Sequence, residues 1–243
     1  MDGFNQHCRH LGVGAANRLV DELGAFVARS VGWTQAPLRA ADGVLAVLLA
    51  DSDPERALAQ ARRNVDACCV ALDAGSEVIV STASACGLMV KDYGRLLAGD
   101  PAYAARARRV SAATRDVSEV ITPGDLEHAG LSASTGPRVA WQAPCTLQHG
   151  QRLAGRVEAL LLAAGYVLVP TREPTLCCGS AGTYSILQPE LSQELRRRKV
   201  AALTTSTPEV IATANIGCLE HLRPASPVPV RHWIELVAEA LDR

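Results

Sequence analysis

The chain has 243 residues, 48% hydrophobic and 20% charged, with a formal net charge of −1. That composition belongs to a folded soluble chain, long enough for one large domain or two small ones. A near-neutral balance with only 4% aromatic residues lacks the basic footprint and the stacking platforms of a nucleic-acid binder. No apolar run reaches the roughly 20 residues of a membrane span. The N-terminus, MDGFNQHCRH, lacks the basic-then-apolar order of a secretory signal. Eight cysteines without such a signal point to a reducing cytoplasm, where thiols act as ligands, catalytic groups or small buried residues.

In chain order, residues 14–30 read as an amphipathic helix, with Leu19, Leu23, Phe26 and Val27 on one face. A second helix spans 54–74, opening at Pro54. A β-branched strand covers 77–82, and helices follow over 87–98 and 101–118. Segment 121–137, rich in Gly, Pro, Ser and Thr, reads as a connection. Then come a strand at 138–144, a helix at 150–164, a strand at 166–170 and a long helix at 188–205. A strand at 209–214, a helix starting at Gly217 and a last helix at 231–242 close the chain. Strands alternating with helices predict an α/β fold with mainly parallel sheets.

The halves resemble each other. EVIVSTASAC ends at Cys86 and EVIATANIGC ends at Cys218. Cys145 precedes Cys177 by nearly the interval that separates Cys8 from Ala41. Aligned this way, Ala41-Asp42-Gly43 stands opposite Cys177-Cys178-Gly179. The expectation is two pseudo-repeated α/β units, residues 1–122 and 138–243, the first of which has lost its cysteine pair and its opening strand. Cys68-Cys69 falls in mid-helix, where neighbours point about 100° apart; these two read as buried small residues. Cys8 and Cys86 read as remnants.

The second unit supplies four thiols: Cys145, Cys177, Cys178 and Cys218. Cys145 and Cys218 each follow a predicted strand, and ligands bind at the carboxyl ends of strands in open α/β sheets. Four thiolates suit an iron–sulfur cluster or a tetrahedral zinc. Gly179 and Gly182 let the backbone approach a bulky inorganic core. His221 is placed as a fifth ligand or a donor to one, and His149 as a donor to sulfide. His232 reads as packed against the last helix, and Arg196–Lys199 as a solvated face. A nucleophilic-cysteine enzyme would need one activated thiol and a base, which His149 or His221 could supply, but four thiols at these spacings favour a metal. GSAG at 179–182 falls short of a dinucleotide fingerprint.

The pattern Cys, about 31 residues, Cys-Cys-Gly, about 39 residues, Cys resembles the CCG cysteine-rich domain. That domain is paired in heterodisulfide reductases, lactate-utilisation proteins and glycolate oxidase iron–sulfur subunits. PCTLQHGQRL, LCCGSAGTYSILQPEL, TANIGCLEHL and PVRHWIELV are similar to the last of these, and NVDACCVALDAGSEVIVSTASACGLMVKDYG to its first CCG half. The resemblance implies a 4Fe–4S cluster on Cys145, Cys177, Cys178 and Cys218, with His221 where heterodisulfide reductase has a cysteine. It implies a non-catalytic redox subunit that takes electrons from FAD-containing partners oxidising glycolate to glyoxylate. Such a subunit would sit in the cytoplasm, peripheral to the inner membrane through those partners. The family's N-terminal ferredoxin-like module has no counterpart here, so the chain reads as an N-terminally truncated or degenerate relative, or as a fragment whose missing ferredoxin-like module is encoded elsewhere. The competing expectation is a docking or assembly remnant without a redox role, or a CCG protein of the heterodisulfide-reductase or lactate-utilisation type.

Overall fold

The computed structural model describes residues 54–131, 136–182 and 184–242, together with the backbone of two short strands near the N-terminus. The chain divides into two compact units, Met1–Pro54 and Glu55–Arg243. In the smaller, β1 (Leu38–Ala41) and β2 (Val44–Ala46) form an antiparallel pair. The expected helix at 14–30, Cys8 and Asp42 lie outside the described residues.

The larger unit is entered through α1 (Pro54–Asp73). Ala61, Val65, Cys69 and Leu72 make its buried stripe, the spacing of one helix face. They pack with Tyr93, Leu97, Ala107 and Val110. Cys69 is therefore a core residue and Cys68 stands half-buried beside it. Next come β3 (Ile79–Ser81), α2 (Ser84–Lys91), α3 (Tyr93–Leu96) and α4 (Ala104–Ala113). Helix α2 begins before the expected 87, so Cys86 lies in its first turn.

The expected single helix over 101–118 breaks at Thr114. Residues 114–116 form β4 (Thr114–Asp116), parallel to β3 with Ile79 opposite Thr114 and Ser81 opposite Asp116. The break has a local cause: Thr and Asp side chains compete with helical hydrogen bonding and favour caps. Thr114 Oγ1 donates back to the Val110 carbonyl at 2.8 Å. Asp116 accepts from Ser118 N at 3.0 Å and caps α5 (Val117–Val120). The expected connection 121–137 contains a further helix, α6 (Pro123–His128), opened by a capping box between Thr122 and Asp125.

The second sheet is wholly parallel, in the order β6 (Val167–Leu168), β5 (Arg138–Gln142), β7 (Val210–Thr213), β8 (Val230–His232). Its alternating side chains feed two cores. Val139, Trp141 and Ala212 face α7 (Arg156–Ala163) and α11 (Trp233–Leu241). Ala140 and Ile211 face α9 (Pro189–Thr204), which follows the single-turn α8 (Tyr184–Leu187), and α10 (Ile216–Leu222). Helices thus cover both faces, as a parallel sheet requires. Two boundaries differ from expectation. Between β5 and α7 the chain first makes a single π turn, Thr146–Gly150, and α7 starts only after Gly155, at φ +85°. The expected helix 231–242 begins as β8, and His232 makes the change of conformation. Its Nδ1 accepts from Ile234 N at 3.2 Å, capping α11. Its Nε2, which must then carry the proton, donates to the Thr82 carbonyl at 2.9 Å.

Candidate metal centre

Three neighbouring parallel strands deliver the four thiols at their carboxyl ends. Strand β5 runs through Ala143 and Pro144 to Cys145, β6 leads to the loop with Cys177 and Cys178, and β7 runs through Asn215 into α10, which carries Cys218. The strand ends are locked together. Thr213 Oγ1 donates to Gln142 Oε1 at 2.5 Å, and Gln148 Nε2 donates to the Ala143 carbonyl at 3.1 Å. The N-terminus of α2 keys into the same region: Ser84 N donates to the Ala214 carbonyl at 3.0 Å, and Ser84 Oγ meets Thr146 Oγ1 at 2.8 Å.

Cys178 and Cys218 are both buried. Cys178 Sγ donates to Cys218 Sγ at 3.1 Å, and Asn215 Nδ2 donates to Cys218 Sγ at 3.6 Å. Gly179 N donates to Cys177 Sγ at 3.3 Å. These contacts separate the acidities. The bond from Cys178, and then that from Asn215, draw Cys218 below the usual thiol value against burial. The bond with Cys178, followed by burial, pushes Cys177 well up. For Cys178, the bond with Cys177 lowers the value, but the Cys218 contact and burial outweigh it and leave it raised.

Gly179 is required where it stands. Its φ is +94°, and a Cβ there would lie 2.4 Å from the Ser192 carbonyl oxygen and 3.1 Å from His221 Nε2. Gly182, at φ +60°, has open space around it. Cys177 is half-buried and Cys145 exposed, so the site is walled on the Cys178–Cys218 side and open toward Cys145. His149 is exposed on the π turn. His221 is half-buried, and its Nε2 faces Ser192 Oγ at 3.2 Å rather than a sulfur; burial lowers its basicity. Among the described residues, no three ligand-type side chains stand close enough together to hold a metal ion as placed. The 3.1 Å sulfur pair is also tighter than the ~3.8 Å that a tetrahedral zinc with Zn–S of about 2.3 Å would impose. The donor set nevertheless fits a thiolate-bound centre: four cysteines, amide donors aimed at sulfur, and a glycine whose missing Cβ keeps the loop against the helix behind it.

Three contributors escaped the sequence reading: Ser192, Lys199 and Asn215. Ser192 Oγ donates to the Gly179 carbonyl at 2.8 Å. Lys199 is fully buried, which corrects the reading of Arg196–Lys199 as a uniformly solvated face; Arg197 and Arg198 are exposed. Ser192 and Lys199 are seven apart, two turns of one helix face, in the helix that follows the cysteine loop, and that spacing was the available signal.

Fold and site together define an α/β protein with a cysteine-rich centre at the carboxyl ends of parallel strands. A family model described as CCG, cysteine-rich domain, matches residues 139–223, which include all four cysteines. The chain is 46% identical over 189 residues to the glycolate oxidase iron-sulfur subunit of Escherichia coli (strain K12), covering 78% of this chain and 46% of that one. It is 31% identical over 175 residues to the uncharacterized protein YkgE of the same organism, covering 69% and 72%. It is 29% identical over 180 residues to lactate utilization protein A of an Exiguobacterium species, covering 70% and 71%. The chain belongs to the family of CCG cysteine-rich-domain proteins. It spans about half the length of the glycolate oxidase subunit it matches. No helix among the described residues is long and apolar enough to cross a membrane.

Proposed function

We propose that the chain is an iron–sulfur electron-transfer subunit of a glycolate-oxidising complex, holding one 4Fe–4S cluster on Cys145, Cys177, Cys178 and Cys218. The observation that carries this reading is the convergence of Cys178 and Cys218, 3.1 Å apart and buried, at strand ends that also present Cys145 and Cys177. The similarity to the E. coli subunit supports the same assignment. A cluster there supplies one-electron chemistry. The chain's own residues supply thiolates, hydrogen bonds from Gly179 N and Asn215 to sulfur, and a wall against water on one side. His221 holds Ser192 and the loop behind the cysteines, and Gly182 relaxes the outgoing turn. Electrons would come from a flavoprotein partner that oxidises glycolate to glyoxylate, and this chain would not touch the acid. We also read the two halves as copies of one unit, because β3 pairs with β4 as β7 pairs with β8.

The test is anaerobic purification or reconstitution of the full chain, with iron and sulfide assays and a visible spectrum. About four irons per chain with broad absorption near 400 nm, the behaviour of thiolate-ligated clusters, is expected, and Cys178→Ser or Cys218→Ser should abolish it. A colourless protein, or one holding only zinc, overturns the redox assignment and leaves a docking role.

A further inference from the structure

Helix α9 grips the cysteine loop at both ends. Ser192 holds Gly179 at the end after the thiols. Before the thiols, Lys199 Nζ donates to the carbonyls of Glu173 at 3.2 Å and Pro174 at 3.0 Å. Lys199 is 0% exposed. The nearby carboxylate of Glu173 is taken by Arg198, whose Nε donates to it at 2.9 Å. A fully buried ammonium is costly unless negative charge faces it. Burial lowers its basicity, and the groups that oppose this in part are, first, the sulfurs of Cys178, Cys218 and Cys177, with Glu173 after them. Two of its three N–H donors are spent on carbonyls, which fixes the charge against the loop.

We infer that Lys199 is the built-in countercharge of the thiolate centre, a positioning residue that holds the 173–179 loop and sets how readily the bound group accepts an electron. The inference rests on the cluster reading above. Reduction adds one negative charge to the centre, so a fixed positive charge nearby stabilises the reduced form more than the oxidised form. The exposed arginines beside it, screened by water, contribute little of this effect.

The experiment compares wild type, Lys199→Met, Lys199→Gln and Lys199→Arg in the full chain, loaded with iron and sulfide, by potentiometric titration. Neutral replacements should lower the ratio of reduced to oxidised centre about tenfold at a fixed potential, a shift of about 59 mV to more negative values for one electron. Lys199→Arg should stay near wild type. Without metal, Lys199→Met should unfold in urea close to the wild-type midpoint, because the desolvation cost of the removed ammonium offsets the two carbonyl bonds lost with it. Equal potentials for the Gln and Arg variants overturn the inference. So does a metal-free Lys199→Met much weaker than wild type, which would mark the residue as a structural clamp alone. A wild type that takes up no iron defeats the cluster reading and with it the redox half of this inference; the countercharge half is then read on zinc alone. Lys199→Met should bind zinc about tenfold more weakly; unchanged zinc affinity, or no zinc binding by wild type, overturns the countercharge.

Discussion

Strands β3 and β7 invite direct comparison. Each runs from a Glu-Val-Ile start into a helix with a cysteine in its first turn, Cys86 on α2 and Cys218 on α10. Each pairs in parallel with a strand whose last residue caps the next helix, Asp116 for α5 and His232 for α11. The flanks differ. β7 lies between β5 and β8 and is buried along its whole length. Among the described residues β3 pairs with β4 alone, and Val78 and Val80 are 45% and 46% exposed. The strand–helix unit by itself positions one thiol. Thiols converge only where two further strands bring their own cysteines to the same edge, and Cys86 is left exposed.

The comparison can be broken by core truncation. Ile211→Ala in β7 should cost about 2–5 kcal/mol, the range for buried aliphatic residues, whereas Val80→Ala in β3 should change stability by less than about 0.5–1 kcal/mol. Urea unfolding measures both, and equal costs would mean that β3 is as enclosed as β7. Within the cysteine loop, Gly179→Ala should cost about 1–3 kcal/mol and release bound iron to a chelator faster. The added methyl meets the Ser192 backbone oxygen, which cannot yield cheaply. Gly182→Ala, with a positive φ but open surroundings, should cost about 1 kcal/mol and leave iron retention unchanged.

The caps sharpen the comparison further. Asp116 is buried and holds both Ser118 N and Ser118 Oγ, so Asp116→Ala should cost about 1–2 kcal/mol, while His232→Ala, at a half-buried cap, should cost less. The smallest effect is a pH dependence. Burial lowers His232 below its ordinary 6.5 and the Thr82 carbonyl only partly opposes this. The folded protein therefore binds this proton more weakly than the unfolded chain. The contribution is complete above about pH 6.5 and fades as pH falls toward the lower folded value. His232→Asn keeps a capping oxygen and should flatten part of that slope in urea titrations between pH 8 and 5. His221, also lowered by burial, should keep the remainder.

Much of this was legible in the chain. Alternating β-branched runs and helical stretches announced an α/β fold, Pro189 marked the start of α9, and the cysteine spacing picked out the four thiols that follow the strand ends. What escaped were short or joined elements. β4 and β8 have three residues each, too few for a period, and both run straight into a helix with no Gly or Pro between. RHWIELV therefore reads as helix throughout until His232 is seen capping.

Which residue types sit in which loop is local information, set by propensity, turn chemistry and the spacing of thiols, and the sequence alone determined it. Burial is not local. Arg196, Arg197, Arg198 and Lys199 are equivalent on paper, yet only Lys199 lies at 0% exposure. The 173–179 loop folds back over that one position of α9 and offers it two carbonyls. The exposure of Cys86 against the burial of Cys218 was likewise decided by the strands that surround them, because desolvation depends on neighbours distant in the chain.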